Sequence, residues 1–424
     1  MKLHCASATV DEPLDLVSVG HFVRDDHRFL WLRPGDDDGI IAWGEVADWA
    51  PDTDHRTAAE FAAHIARAMP VSPQPALIVG GFAFDPDRAP SGRWDAFRSG
   101  RLIVPATQII RRDGTITVQT FAADAKVADR RLRDAARMIE LARFRGLIEF
   151  DELDITIEDE TADHYHGIVK RAVEAIENTS LDKVVLARAI DIHGEIPLGA
   201  WLASLRARYS TCAVFARGEG ERTFFGASPE TLVRVVGDEV STAALAGTRP
   251  RGEDDTADDA LGTELMTSSK ERAEHQFVVD EVRRKLAATG VRLDGPAETK
   301  LMRIPGIQHL FTPVSGHRPA NLSILDLVEA LHPTPAVGGT PNARALAWIR
   351  NNEDLDRGWY AAPVGWTDTS GQGEFRVGLR SGLFSPTTTR LFAGCGIVAE
   401  SNPDDELEET RTKFSALLSC LGQQ

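Results

Sequence analysis

Short apolar runs separated by glycine and proline dominate residues 1–155. Phe29-Leu30-Trp31-Leu32, Ala76-Leu77-Ile78-Val79 and Leu102-Ile103-Val104 have the length and composition of strands. Two stretches with helical periodicity interrupt them, Thr57 to Ala68 and the Arg- and Ala-rich segment Ala123 to Arg145. Near Asp151 the chain passes through an acidic connector, DELDITIEDETAD, which divides it into a portion 1–155 and a portion 156–424. A helix is predicted from Ala162 to Asn178, with Ile168, Ala172, Ala175 and Ile176 on one side, and the strand LDKVVLARAIDI follows. Beyond it, strands are predicted at Arg222 to Ala227, Thr231 to Val236, Phe375 to Leu383 and Arg390 to Ala393. Helices are predicted at Asp259 to Ala288, Ile324 to Leu331, Asn342 to Asn351 and Asp404 to Leu421. Hairpin-like links, Gly237-Asp238 and Gly371-Gln372-Gly373, join the strand-rich blocks where regular βα alternation would place helices. This pattern predicts an α+β fold with antiparallel sheets and argues against a doubly wound parallel one.

Composition narrows the function classes. Of 424 residues 42% are hydrophobic and 26% charged, which is globular, and 47 Lys plus Arg against 64 Asp plus Glu leave a formal charge of −17. Such a field does not draw in nucleic acid. An anionic substrate then needs local countercharge, from a metal or a few buried Arg and Lys. The four cysteines, Cys5, Cys212, Cys395 and Cys420, form no CxxC pair, which fits a reducing compartment. No signal peptide or membrane-spanning run is evident, so a cytoplasmic protein without a membrane partner is expected.

The motifs GxxxxGK[ST], HExxH, GxSxG and a strand-to-helix GxGxxG are absent. Carboxylates are more informative. In SSKERAEHQFVVDEVRRKL, Glu271 and Glu274 lie on one helical face; in NPDDELEETRTKFSALLSCL, Glu406, Glu409 and Lys413 do the same, with Leu407, Phe414, Leu418 and Leu421 as the apolar side. Such faces are ordinarily solvated; two of them could instead bracket Mg²⁺, which takes carboxylate, water and anionic substrate oxygens. Lys183 alternates with Val184 and Leu186, so it is either an exposed strand lysine or an amine aimed into a site. Glu230, in the turn Ser228-Pro229-Glu230, would donate a proton if burial raised its pKa. Gly247-Thr248, Gly338-Gly339 and Gly394-Cys395-Gly396 either serve turns or let backbone N–H groups approach a ligand. His309 sits among hydrophobic residues, and Arg380, on a predicted strand, needs an anion if it points inward.

These residues occur in an order that resembles the chorismate-utilising enzymes, the family of isochorismate synthase, salicylate synthase and the large subunits of anthranilate and aminodeoxychorismate synthases. The matching segments are LDKVVLARAI, FFGASPETLV, ALAGTRPRG, SSKERAEH, IQHL, LHPTPAVGGTP, RGWYAAPVGW, FRVGLRS, AGCGIV and ELEETRTK, with a looser match at VGGFAFDP. The resemblance implies large stacked antiparallel sheets covered by outer helices, with the N-terminal portion completing the fold. It also implies Mg²⁺ held by Glu274 and Glu409 with Glu271 and Glu406 in support. Tyr360, Arg380, Lys413 and the backbone at Gly394 and Gly396 would hold substrate carboxylates, and His309, Gly247 and Thr248 would line the ring.

Within the family, Lys183 matches the water-activating lysine of the isochorismate and salicylate branches, and Ala246 argues against covalent attack on the ring. Ala336, after Thr334-Pro335, resembles isochorismate synthases. RGWYAAPVG is closer to the menaquinone branch than to the siderophore branch. The expectation is an Mg²⁺-dependent isochorismate synthase in which Lys183 deprotonates water for attack at C2 of chorismate and Glu230 protonates the departing C4 hydroxyl. Salicylate synthase, with pyruvate elimination, is the first alternative and an anthranilate synthase large subunit the second. A non-catalytic binding protein would have lost these groups. Chorismate is the implied partner, with no obligatory protein partner.

Overall fold

The computed structural model describes residues 3–422 apart from 12, 34, 36–37, 89–91, 147–152 and 305, so the start of the acidic connector lies outside the described residues. In chain order the first portion contributes β1 (His4–Val10), α1 (Leu16–Phe22), β2 (His27–Leu32), β3 (Gly39–Trp43), β4 (Ala47–Trp49) and α2 (Ala58–Ala68). It continues with β5 (Leu77–Phe82), β6 (Gly100–Val104), β7 (Thr107–Arg112), β8 (Thr115–Ala122) and α3 (Ala125–Arg145). Next come β9 (Thr156–Glu158), α4 (Ala162–Asn178), β10 (Lys183–His193), α5 (Leu198–Arg208), β11 (Ala213–Glu219), β12 (Arg222–Ser228), β13 (Thr231–Val236) and β14 (Glu239–Pro250). They are followed by α6 (Asp255–Thr267), α7 (Ser269–Ala288), β15 (Arg292–Leu293), β16 (Lys300–Ile304), β17 (Ile307–His317), α8 (Ile324–Leu331), β18 (Gly339–Thr340) and α9 (Asn342–Asn352). The chain ends with β19 (Pro363–Asp368), β20 (Gly373–Val377), β21 (Ser381–Phe384), β22 (Thr388–Ile397) and α10 (Pro403–Leu418).

The strands form two antiparallel sheets, so the fold is α+β as the hairpin-like links predict. The larger runs β1-β8-β7-β3-β2-β11-β12-β21-β22-β10-β18, with β9 also on β10; the smaller runs β15-β17-β14-β13-β20-β19-β5-β6-β4, with β16 on β17. Strands of residues 1–155 enter both sheets, β2 pairing with β11 and β5 with β19. Alternation along the strands divides the core. Phe29, Trp31, Phe215, Phe224 and Phe375 fill one cluster, while their neighbours Leu30, Leu32, Val214 and Phe225 join a second with Trp201 and Phe414.

Capping chemistry and long-range strand pairing explain where three predicted elements differ. The helix expected over 259–288 is two helices. Ser268 ends α6 and caps α7, its side chain accepting from the Glu271 N–H, because a serine offers the backbone this alternative to continued helix. The strand expected over 375–383 is β20 and β21, separated at Gly378-Leu379-Arg380, where the chain leaves the smaller sheet for the larger. The strand expected at 390–393 extends over 388–397 because β10 pairs with it along its whole length. The helix start at α10 follows from Asn402, whose side chain accepts from the Asp404 and Asp405 N–H groups, with Pro403 in the first turn.

Candidate active site

One cavity of about 420 Å³ opens where the two sheets approach α7 and α10, and all fourteen residues singled out above as catalytic, substrate-binding or metal-ligating line it. Lys183, at the start of β10, faces the cavity with 16% of its side chain exposed, so it is not a solvated strand lysine. Beside it on β22, Gly396 is needed for fit: a Cβ there would lie 2.6 Å from Lys183 Cε. A Cβ at Gly394 would lie 2.5 Å from the Leu186 carbonyl and 3.2 Å from the Tyr360 hydroxyl. Tyr360 is buried and stacks on Phe392 with ring centroids 5.1 Å apart.

Glu230 and Arg380 sit on two of the crossings between sheets, Glu230 between β12 and β13 and Arg380 between β20 and β21. Ser228 secures the first crossing by donating to the Val377 carbonyl at 2.6 Å, and the Val377 N–H donates to the Glu230 carbonyl at 3.1 Å. On the opposite wall β14 is bulged at Gly247, whose φ of +70° supplies the left-handed residue the irregularity requires. The bulge presents Thr248 and the Gly247 carbonyl to His309 Nδ1 at 3.1 and 3.2 Å. The carbonyl can only accept, so Nδ1 carries the proton.

Burial sets the charges. The Glu230 carboxyl is enclosed and pushed up to about 7, so at neutral pH a large fraction is protonated. Thr334, the only counterweight on that shift, has a buried hydroxyl without a full hydrogen bond of its own. Burial, reinforced by Arg380 and opposed by the bond to Gly247, brings His309 down to about 4, which leaves it neutral. Arg380 Nη1 is buried and hydrogen-bonded to nothing, and no carboxylate among the described residues pairs with its guanidinium. Burial alone lowers its pKa, and an anion in the cavity would satisfy it.

The helices supply carboxylates already matched to cations. On α7, Glu274 accepts from Lys183 Nζ at 2.5 Å and Glu271 lies 3.2 Å from Arg249 Nη1. On α10, Glu409 lies 2.7 Å from Lys413 Nζ, which also donates to the Gly394 carbonyl at 2.7 Å. Burial works against the Lys413 charge, but Cys395 and Glu409 outweigh it and hold the pKa above its usual value. Glu406 accepts from Ser401 at 2.6 Å and is raised by burial, with Glu409 adding like-charge repulsion. Carboxylates from two helices on one cavity wall give the hard-oxygen donor set that suits Mg²⁺, and a cation would relieve the Glu406–Glu409 repulsion. The sulfur of Cys395 also lies within 4.8 Å of both carboxylates.

Sequence reasoning did not single out Arg249, Lys270, Glu400, Ser401 or Asp405, which share the lining. Arg249 and Lys270 lay inside matched segments, ALAGTRPRG and SSKERAEH. Glu400 and Ser401 follow AGCGIV in a loop whose pattern carries no signal; Glu400 pairs with Lys270 at 3.2 Å.

A cleft between stacked antiparallel sheets, lined by an amine, a buried carboxyl, paired helical carboxylates and an unpaired arginine, defines a binder of a small anion. The sequence profile of the family described as chorismate binding enzyme matches residues 2–422, and the chain belongs to that family. It is 34% identical to isochorismate synthase MenF of Bacillus subtilis, with 97% of this chain and 91% of that protein covered. It is 36% identical to the salicylate biosynthesis isochorismate synthase of Pseudomonas aeruginosa, covering 99% of this chain and 90% of the relative. The solved structure of MenF, the menaquinone-specific isochorismate synthase of Escherichia coli, superposes with a TM-score of 0.81 at 26% identity, covering 99% of this chain and 94% of that one.

Proposed function

We propose that this chain is an isochorismate synthase that converts chorismate to isochorismate. Nearly full-length relatives of that activity support the reading, and the observation that carries it here is the pairing of chemistries in one cavity. Lys183 and the proton-bearing Glu230 line the same space, with Arg380 left to receive an anion. Chorismate is a dianion whose carboxylates suit Arg380 and Lys413. Lys183 accepts a proton from water, which adds at C2 of the ring. Glu230 gives its proton to the C4 hydroxyl, which leaves as water, and the double bonds shift between the two carbons. Atoms balance, so the reaction is an isomerisation that runs in both directions. His309, neutral, and the Gly247-Thr248 bulge line the ring, and Tyr360 with Gly394 and Gly396 shapes the carboxylate end. Glu274 and Glu409 would hold Mg²⁺, with Glu271 and Glu406 in support. When bound, the ion supplies charge compensation for a substrate carboxylate and draws electron density from the ring. Residues 1–155 are read as the portion that completes the fold.

The test is to incubate the purified protein with chorismate and Mg²⁺ and identify the product. Isochorismate alone supports the reading. Salicylate with pyruvate would assign the lyase branch, and anthranilate on addition of ammonia would assign the amine-using branch. Lys183→Ala should cost on the order of 10²–10⁴ in rate; near-normal turnover would remove it as the base.

A further inference from the structure

The β10 strand that carries Lys183 has an unusual edge. On one side it pairs with β22 from Val184 to His193; on the other it meets β18 only at Lys183 and Val184, and β9 only at Asp191, Ile192 and His193. Between those patches a buried ion pair takes the place of a strand. Arg357 Nη2 donates to the Val185 carbonyl at 2.7 Å, and the Ala187 N–H donates to Glu353 Oε2 at 2.9 Å. The two side chains grip each other through Nε–Oε1 at 2.6 Å and Nη2–Oε2 at 2.7 Å, and both are almost fully buried, at 3% and 4% exposure. The Phe84 ring covers the guanidinium at 4.2 Å.

The same pair reaches two further pieces of the site. Arg357 Nη1 donates to the Val337 carbonyl at 3.3 Å, one residue before the Gly338 whose carbonyl accepts from the Val185 N–H. The Arg357 carbonyl accepts from the Tyr360 N–H at 2.8 Å. Neither Glu353 nor Arg357 lines the cavity. A buried pair of this kind contributes little net stability compared with apolar packing, but it fixes geometry through directional bonds.

We propose that Glu353 and Arg357 form a positioning unit that fixes the distance between Lys183 and the substrate held at Tyr360, by serving as a side-chain surrogate for the missing strand on β10. The inference rests on the isochorismate synthase reading, in which Lys183 is the base. Displacement by about 1 Å at a reacting group costs on the order of 10²-fold in rate, so loosening this clamp should be read in kcat.

The experiment is a double-mutant cycle on the full-length protein. Glu353→Gln keeps the shape and one acceptor but loses the bidentate charge pair, and Arg357→Lys serves as a second variant should the first fail to fold. The expected result for either is a 10- to 100-fold loss in kcat with KM for chorismate within about threefold. On a Lys183→Ala background the same substitution should change the residual rate by less than about twofold, because a unit that acts through the lysine has nothing left to position. Equal losses in the presence and absence of Lys183 would assign the pair a general structural role and overturn the proposal, as would folded single variants with wild-type kcat. If Lys183→Ala itself left turnover intact, the reading of the base would fail separately.

Discussion

Glu230→Gln tests the central electrostatic argument, because burial of one carboxyl should appear in stability as well as in rate. An unfolded glutamate titrates near its ordinary value of 4.5, whereas in the fold Glu230 titrates at about 7. Between those values the folded state binds more protons than the unfolded state, so the contribution of Glu230 to stability falls as pH rises through this window. The separation of about 2.5 units corresponds to roughly 3 kcal/mol of penalty once both states are ionised, at about 1.36 kcal/mol per unit. Glutamine carries no such penalty. Urea unfolding of wild type and variant at pH 5, 6, 7 and 8 should show the variant gaining on the wild type by up to roughly 3 kcal/mol toward pH 8, with most of that difference gone at pH 5. Turnover should move the other way, falling on the order of 10²–10⁴ at every pH, because the amide cannot give up a proton to the leaving hydroxyl. A stability difference that stays constant with pH would refute the claim that this carboxyl is enclosed. A variant with near-normal turnover would refute its role as the acid.

Glu274→Gln should raise the Mg²⁺ concentration needed for half-maximal rate by tenfold or more, read from a Mg²⁺ titration at saturating chorismate; an unchanged requirement would take Glu274 off the ligand set. Arg380→Lys should raise KM for chorismate on the order of 10-fold, since a lysine cannot present a planar fork to a carboxylate. Gly396→Ala puts a Cβ where Lys183 Cε now lies 2.6 Å away, so kcat should fall at least about tenfold while the unfolding free energy changes by less than about 1 kcal/mol. Intact kcat in that variant would show that the lysine need not lie against β22.

Elements governed by local chemistry were legible in the sequence. Ala162–Asn178 and Ile324–Leu331 have the predicted bounds, and Thr57 caps the helix that begins beside it. What tertiary context decides was not. Nothing around Gly378-Leu379-Arg380 announces that the chain changes sheets there, because alternation continues on both sides. The carboxylate pairs could be read from three-residue spacing on single helices, but their convergence on one cavity depends on how α7 and α10 pack over the sheets. Glu353 and Arg357 have a four-residue spacing that resembles an ordinary exposed helix pair, yet both are enclosed, and only the missing strand beside β10 shows what they do.

Charge around the cavity decides the order in which ligands are accommodated. With Glu230 protonated and Lys183 as the neutral amine that accepts the water proton, six carboxylates (Glu271, Glu274, Glu400, Asp405, Glu406 and Glu409) face four cations (Arg249, Lys270, Arg380 and Lys413). That leaves two net negative charges in a protein of formal charge −17, an environment that opposes a dianion. Most of the cations are also already engaged, Arg249, Lys270 and Lys413 each pairing with a carboxylate, so of the four only Arg380 offers an uncommitted charge. A divalent cation on the α7 and α10 carboxylates would bring the local balance to neutrality. Chorismate affinity should therefore depend on Mg²⁺ by tenfold or more, a coupling of at least about 1.4 kcal/mol. Linkage makes the effect reciprocal, so a substrate analogue that is not turned over must tighten Mg²⁺ by the same factor by which Mg²⁺ tightens that analogue. Calorimetric titration of each ligand, with and without the other, measures both sides of that equality. Chorismate affinity unchanged by removal of Mg²⁺ would mean that Arg380 and the paired lysines suffice, and the argument from countercharge would fall.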